Sequence, residues 1–237
     1  MKIGILGSGL MGGKLGAIFT RAGHEVVFSY ARRKEKLEGL ARDAGRNARA
    51  GTPAEAAQKA DALLLAVHWS CVEDVLTQAG DLSGKVIVTC SLPMNADDTG
   101  LVLGHTTSGA EELAKKVPEA HIVCAFNTVP SEVLFGVFEA RGRADKPSLV
   151  YCGDDSGSKG IVADLIRDAG FDPVDAGPYG SPATPSRLPC WWASSPTKEA
   201  MGRRWRIVSS GLASRPDIVP IPGTKRVKYL EEKVAAA

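Results

Sequence analysis

The segment Gly7-Ser8-Gly9-Leu10-Met11-Gly12 stands between a short apolar run, Lys2–Leu6, and a stretch of helical spacing, Leu10–Ala22, that closes at Gly23. GxGxxG alone is a weak signal, because glycines are common. Between a strand and a helix it becomes restrictive. Gly7 permits the tight turn, Gly9 lets a pyrophosphate approach the backbone, and Gly12 lets the helix pack on the strand. The unpaired N–H groups and positive dipole end of the helix then face the phosphates.

The rest of the chain repeats this alternation. Glu25–Ser29 reads as a second strand, and Lys34–Ala44 as a helix with Leu37, Leu40, Ala41 and Ala44 on one face. Thr52-Pro53-Ala54-Glu55 has the residues of an N-cap, a proline at the first helical position and a first-turn acid. Ala62–Val67, Val86–Cys90 and Ile122–Phe126 are continuous apolar runs, as expected of strands covered on both faces. Leu149–Cys152 is another strand, Lys159–Ala169 has helical spacing closed by Gly170, and Pro173–Ala176 forms a last strand. Asp154 and Asp155 precede that helix and read as capping residues rather than metal ligands. The expected fold is α/β, a doubly wound and mostly parallel Rossmann sheet over residues 1–178, followed by an irregular C-terminal tail.

Composition narrows the function classes. Net charge is +2, so no large basic field favours nucleic acid as a partner. No apolar run approaches the length needed to cross a bilayer, and the first residues read as a strand rather than a signal peptide. Cys71, Cys90, Cys124, Cys152 and Cys190 are scattered without CxxC spacing. They read as reduced core thiols of a cytoplasmic protein, with no metal site.

The ribose end of the site carries a second signal. The second strand ends at Ser29, where an NAD site usually has an acid. Here Ser29-Tyr30-Ala31-Arg32-Arg33-Lys34 follows instead. Ser29 can hydrogen-bond a 2′-phosphate, and Arg32 or Arg33 can pair with it or stack on adenine, so NADP(H) is the expected cofactor. The alternative is a solvated basic turn. Val67-His68-Trp69 follows the fourth strand at the same sheet edge. Trp69 borders the nicotinamide ribose or simply packs. His68 is expected to contact the cofactor through backbone and shape, with no acid–base role.

The string Ala125-Phe126-Asn127-Thr128-Val129-Pro130, with Cys152-Gly153-Asp154-Asp155, Ser158-Lys159 and Asp175-Ala176-Gly177-Pro178, resembles NADPH-dependent coenzyme F420 reductases. The resemblance covers residues 1–178. Relatives of that family include ferric-reductase domains and, more distantly, pyrroline-5-carboxylate reductases. The resemblance implies hydride transfer between NADP(H) and a deazaflavin, coenzyme F420. It places Gly7, Ser8, Gly9, Leu10 and Met11 on the pyrophosphate and Ser29, Arg32 and Arg33 on the 2′-phosphate. Ser91, Leu92, Pro93, Asn127, Thr128, Val129 and Pro130 would line the pocket of a small-molecule hydride acceptor. Asn127 reads equally as a turn residue. Both rings are hydride carriers, so no catalytic acid is expected; positioning does the work. A family-type homodimer is also implied.

The pattern changes after Pro178. Residues 179–214 are rich in proline and tryptophan, where the resemblance predicts an apolar helix. Cys190-Trp191-Trp192-Ala193 has nearly fixed codons, and read two bases later they encode Leu-Val-Gly. This segment therefore reads as out of frame. Residues 215–237, with Asp217–Arg226 and Tyr229–Glu232, resemble the end of an aldo-keto reductase without the barrel that precedes it there. Weak turnover despite a sound NADP site is the resulting expectation. The functional readings are a deazaflavin-linked oxidoreductase, a ferric or flavin reductase domain, and a non-catalytic NADP-binding protein or decayed gene product. An imine reductase or hydroxyacid dehydrogenase would need a helical C-terminal domain.

Overall fold

The computed structural model describes residues 1–97, 99–103 and 107–179. The expectations for residues 180–237, including the out-of-frame segment and the tail, lie outside the described residues.

Eight strands form one sheet: β1 (Lys2–Leu6), β2 (Glu25–Ser29), β3 (Ala48–Ala50), β4 (Ala62–Leu65), β5 (Val86–Thr89), β6 (His121–Cys124), β7 (Ser148–Gly153) and β8 (Asp172–Asp175). Their order is β3-β2-β1-β4-β5-β6-β7-β8. All neighbours are parallel except β6 and β7, which pair antiparallel. The order reverses between β1 and β4, which opens a crevice at the carboxyl ends of those strands.

Helices cover both faces. On one face pack α1 (Leu10–Arg21), α2 (Lys34–Ala44), α6 (Leu134–Glu139) and α7 (Ser156–Asp168), through residues such as Leu15, Ile18, Leu37, Leu134 and Ile166. On the other lie α3 (Pro53–Gln58), α4 (Val72–Ala79) and α5 (Gly109–Lys116), through Ala56, Val75, Leu76 and Leu113. The central strands β4 and β5 are buried along their whole length, which explains their unbroken apolar sequence. None of the described helices is long and apolar enough to cross a membrane.

Local chemistry sets the boundaries. Thr52 accepts from the Glu55 amide at 3.2 Å, and the Glu55 carboxylate accepts from the Thr52 amide at 2.7 Å, closing the capping box that starts α3. Asp155 caps α7, its Oδ1 accepting from the Ser158 amide at 2.7 Å and the Ser158 hydroxyl at 2.6 Å. β3 is the strand that the hydrophobic pattern does not announce. Ala48-Arg49-Ala50 is three residues long and lies at the sheet edge, so burial selects no apolar run there.

The register positions the site. Ser29 lies beside Leu6, Leu6 beside Leu65, Leu65 beside Thr89 and Thr89 beside Cys124. The five carboxyl ends therefore form one row, with neighbours about 4.8 Å apart. The segments that follow them are Tyr30–Arg33, Gly7–Gly12, Val67–Trp69, Ser91–Pro93 and Phe126–Pro130. All emerge along a single edge.

Candidate functional site

The glycines of the phosphate loop divide by task. Gly7 has φ +109°, and a Cβ there would lie 2.5 Å from the Ala66 carbonyl oxygen. A Cβ on Gly12 would collide with the Gly7 carbonyl oxygen. Both glycines are demanded by the protein's own packing. Gly9 differs: a Cβ there meets nothing within 4 Å, and its φ of −78° is open to any residue. Its glycine is explained by something that must come close to the backbone from outside.

The helix behind this loop is open to an anion. Its first internal bond runs from the Gly13 amide to the Gly9 carbonyl at 3.0 Å, and no side chain caps it. No acid stands in its first turn, and Leu10 there is 72% exposed. The amides of Leu10, Met11 and Gly12 are left for a ligand.

Ser8 and Ser29 are placed differently from the sequence reading. The Ser8 amide donates to the Tyr30 carbonyl at 3.1 Å, and its hydroxyl to the Ser29 carbonyl at 2.8 Å. Ser29 is 0% exposed and gives its hydroxyl proton to the Ile5 carbonyl at 2.7 Å. A hydroxyl has one proton, so neither side chain has a donor left for a phosphate. They brace the loop against β1 and β2. Arg32 and Arg33 are exposed, and neither makes an ion pair or side-chain hydrogen bond among the described residues. They are exposed cations that follow β2.

Tyr30, between these groups, has φ +56°. Its hydroxyl donates to Asp74 Oδ2 at 2.6 Å, and Gln78 Nε2 donates to the same oxygen at 2.9 Å. Burial first, then the bond to Asp74, pushes the Tyr30 phenol well above its ordinary pKa. The bonds from Tyr30 and Gln78 hold the Asp74 carboxyl below the usual aspartate range.

At the middle of the edge, Val67 donates its amide to Ser91 Oγ at 3.2 Å, and Ser91 donates to the Leu65 carbonyl at 3.3 Å. Ser91 thus ties the end of β5 to the end of β4. His68 Nδ1 accepts from the Ser70 amide at 3.3 Å, and its Nε2 donates to the Asn95 carbonyl at 3.0 Å. Both ring nitrogens are committed to holding the backbone, one as acceptor and one as donor. Leu92 accepts the Met94 amide at 2.8 Å, and Pro93 accepts the Val102 amide at 2.8 Å, so this segment folds back on itself. Trp69 and Pro93 both pack close to Gly109, whose added Cβ would lie 3.3 Å from an atom of each.

The loop after β6 is the least relaxed part of the edge. Phe126 is fully buried with φ +64°, a rare conformation for a bulky side chain. Its ring is held edge-on between Phe19, at 6.3 Å, and Phe171, at 6.4 Å. Next to it, Asn127 Oδ1 and Thr128 Oγ1 are buried with no hydrogen-bond partner among the described residues. Strain and orphaned polar atoms coincide here, a combination that recurs at functional sites. Val129 closes the turn by donating its amide to the Phe126 carbonyl at 3.2 Å, and Pro130 starts the 3-10 turn Ser131–Val133. Lys14 Nζ donates to the Ser131 carbonyl at 2.9 Å, pinning α1 to this loop.

Among the described residues, Cys90, Cys124 and Cys152 are buried cysteines outside any disulfide, and Cys71 is half-buried. Burial pushes the Cys90 thiol up to about 12.

With this geometry in view, comparison with known proteins bears on the first strands and helices. Residues 2–93 match the family described as NADP oxidoreductase, coenzyme F420-dependent. That part of the chain is similar to this family. The chain is also similar to the metalloreductase STEAP3 of Rattus norvegicus, 31% identical over 206 residues. That alignment takes in 85% of this chain and 39% of the rat protein, so the chain spans well under half of its relative. Among solved structures, a protein described as an F420-dependent NADP-reductase of Arthrobacter sp. FB24 superposes with TM-score 0.65 at 24% identity, over 75% of this chain and 85% of that one. The hypothetical protein SMa0349 of Sinorhizobium meliloti gives 0.64 at 26% identity, over 88% and 94%. The F420-dependent oxidoreductase match thus covers both strands that flank the crevice and the whole phosphate loop.

Proposed function

We propose that the chain is an oxidoreductase that binds NADP(H) along the carboxyl edge of its sheet and transfers a hydride between the nicotinamide and a deazaflavin or similar acceptor. The observation that carries this is the pairing of an uncapped helix behind an open Gly9 with two unpaired guanidinium groups, Arg32 and Arg33, at the ribose end. These residues fit a nucleotide with a 2′-phosphate and have no other use in the described fold. Bound there, NADPH supplies the hydride. The α1 amides hold its pyrophosphate, Arg32 and Arg33 hold the 2′-phosphate, and Trp69 and Pro93 bound the space beyond. Asn127 and Thr128 offer the acceptor two buried polar atoms in a site that Phe126 keeps rigid. Such a reaction needs alignment of two rings rather than a catalytic acid.

A second reading is a ferric or flavin reductase, favoured by the 31% identity with a metalloreductase. The two separate in one assay. The chain is incubated with NADPH and, in turn, coenzyme F420, a free flavin and a ferric chelate, and loss of NADPH absorbance is followed. Turnover with F420 alone supports the first reading. Turnover with ferric chelate or flavin alone selects the second. NADPH binding without turnover on any acceptor would leave a nucleotide-binding protein.

A further inference from the structure

A polar clamp lies at the adenosine end of the crevice. Tyr30 follows β2 and Asp74 lies on α4, which follows β4, while β1 runs between those two strands. The bond from the Tyr30 hydroxyl to Asp74 therefore reaches across the carboxyl end of β1. The glycine loop is joined to it through the Ser8 amide and the Tyr30 carbonyl, and Arg32 and Arg33 follow Tyr30 in the chain. A dinucleotide with its pyrophosphate on α1 and its 2′-phosphate at these arginines has its purine beside this clamp.

Two features are hard to explain as packing alone. A non-glycine residue in the left-handed region costs energy, yet here Tyr30 adopts it with its hydroxyl bonded to Asp74 on α4. Asp74 is solvent-exposed and has two donors on one oxygen, Oδ2. Its Oδ1 accepts no hydrogen bond among the described residues. The result is a carboxylate locked in orientation by a tyrosine and a glutamine, with one acceptor atom to spare.

We propose that Asp74, oriented by Tyr30, reads the purine of the nucleotide by accepting a hydrogen bond from the 6-amino group of adenine. The proposal rests on the NADP(H) reading above and deepens it. A 6-oxo purine presents a carbonyl oxygen where adenine presents the amino group, and a carboxylate repels it. The lowered pKa of Asp74 keeps the group ionised at neutral pH, as such discrimination requires. Tyr30 is a positioning residue, since without its hydroxyl the carboxylate turns freely.

The test is calorimetric titration of the full chain with NADPH and with its hypoxanthine analogue, deamino-NADPH. Wild type is expected to prefer NADPH by at least about fivefold, the scale of one hydrogen bond. Asp74→Asn should bring the ratio close to one, because an amide can turn its NH2 toward the 6-oxo group. Tyr30→Phe should lower the ratio while keeping the ring. Thermal melts show whether each variant is folded, and Asp74→Asn changes only an exposed side chain. Equal affinity of wild type for the two nucleotides, or a ratio unchanged in Asp74→Asn, overturns the proposal alone. Failure of NADPH itself to bind overturns both this and the functional reading.

Discussion

The carbonyl oxygen of Gly7 lies against Gly12 so closely that no Cβ fits between them, while the space above Gly9 is empty. Two glycines of one motif therefore answer to different demands, and their variants should fail differently. Gly12→Ala forces the loop off the helix and should cost about 1–3 kcal/mol of stability, as overpacking does. Gly9→Val should melt near the wild-type temperature yet bind no NADPH, because its side chain fills the approach to the α1 amides. Normal NADPH binding by folded Gly9→Val would show that the loop is no phosphate cradle.

His68 should prove structural. Its ring receives the Ser70 amide and holds the Asn95 carbonyl. His68→Ala should lose about 0.5–2 kcal/mol of stability, the scale of a lost cap. With a deazaflavin acceptor it should keep most of its turnover. A fall of about 100-fold or more at unchanged cofactor affinity would instead indicate general acid–base catalysis.

The orphaned atoms after β6 give an opposite signature. Thr128→Val removes a buried hydroxyl that has no partner among the described residues and keeps its shape. It should be neutral or stabilising in a thermal melt, since an unsatisfied polar group is lost. Acceptor turnover should nevertheless fall, with a raised KM. A destabilised variant with normal kinetics would mean that the hydroxyl serves the fold.

Asp155 carries a pH dependence. The Ser158 hydroxyl first, and then its amide, hold the Asp155 carboxyl below the ordinary aspartate range. A carboxyl with a depressed folded pKa stabilises fully above its unfolded pKa and loses that contribution as pH falls through the folded value. The gap in melting temperature between wild type and Asp155→Ala should be full at neutral pH. It should narrow as pH drops below about 4. A gap that stays constant into acid would contradict the charged cap.

Much of this fold is legible in the residues. β1, β2 and α2 have the limits that apolar runs and helical spacing suggest, and Thr52 and Glu55 announce α3 by their chemistry. What the pattern misses depends on partners distant in sequence. Ala48–Ala50 becomes a strand because β2 offers an edge. Ser29 looks available for a phosphate until the Ile5 carbonyl takes its proton. Tyr30 and Phe126 adopt left-handed backbones through contacts with Asp74 and with Phe19 and Phe171, none of which is near in sequence. Lys14 reaches Ser131 across the whole nucleotide half. The glycine motif and the missing acid after β2 point to one sheet edge, while the bonds that brace that edge emerge only once the strands stand side by side.

The most direct measurement is titration of the full chain with NADP+ and NAD+, repeated on Arg32→Ala/Arg33→Ala. Each charge-assisted contact to a phosphate contributes about 1.5–3 kcal/mol, or roughly tenfold to a hundredfold in affinity. NADP+ should bind more tightly than NAD+ by at least about tenfold, and the double variant should lose most of that preference with NAD+ affinity little changed. Equal affinity of wild type for the two nucleotides, or a preference that survives removal of both arginines, would contradict the assignment of this edge to NADP(H).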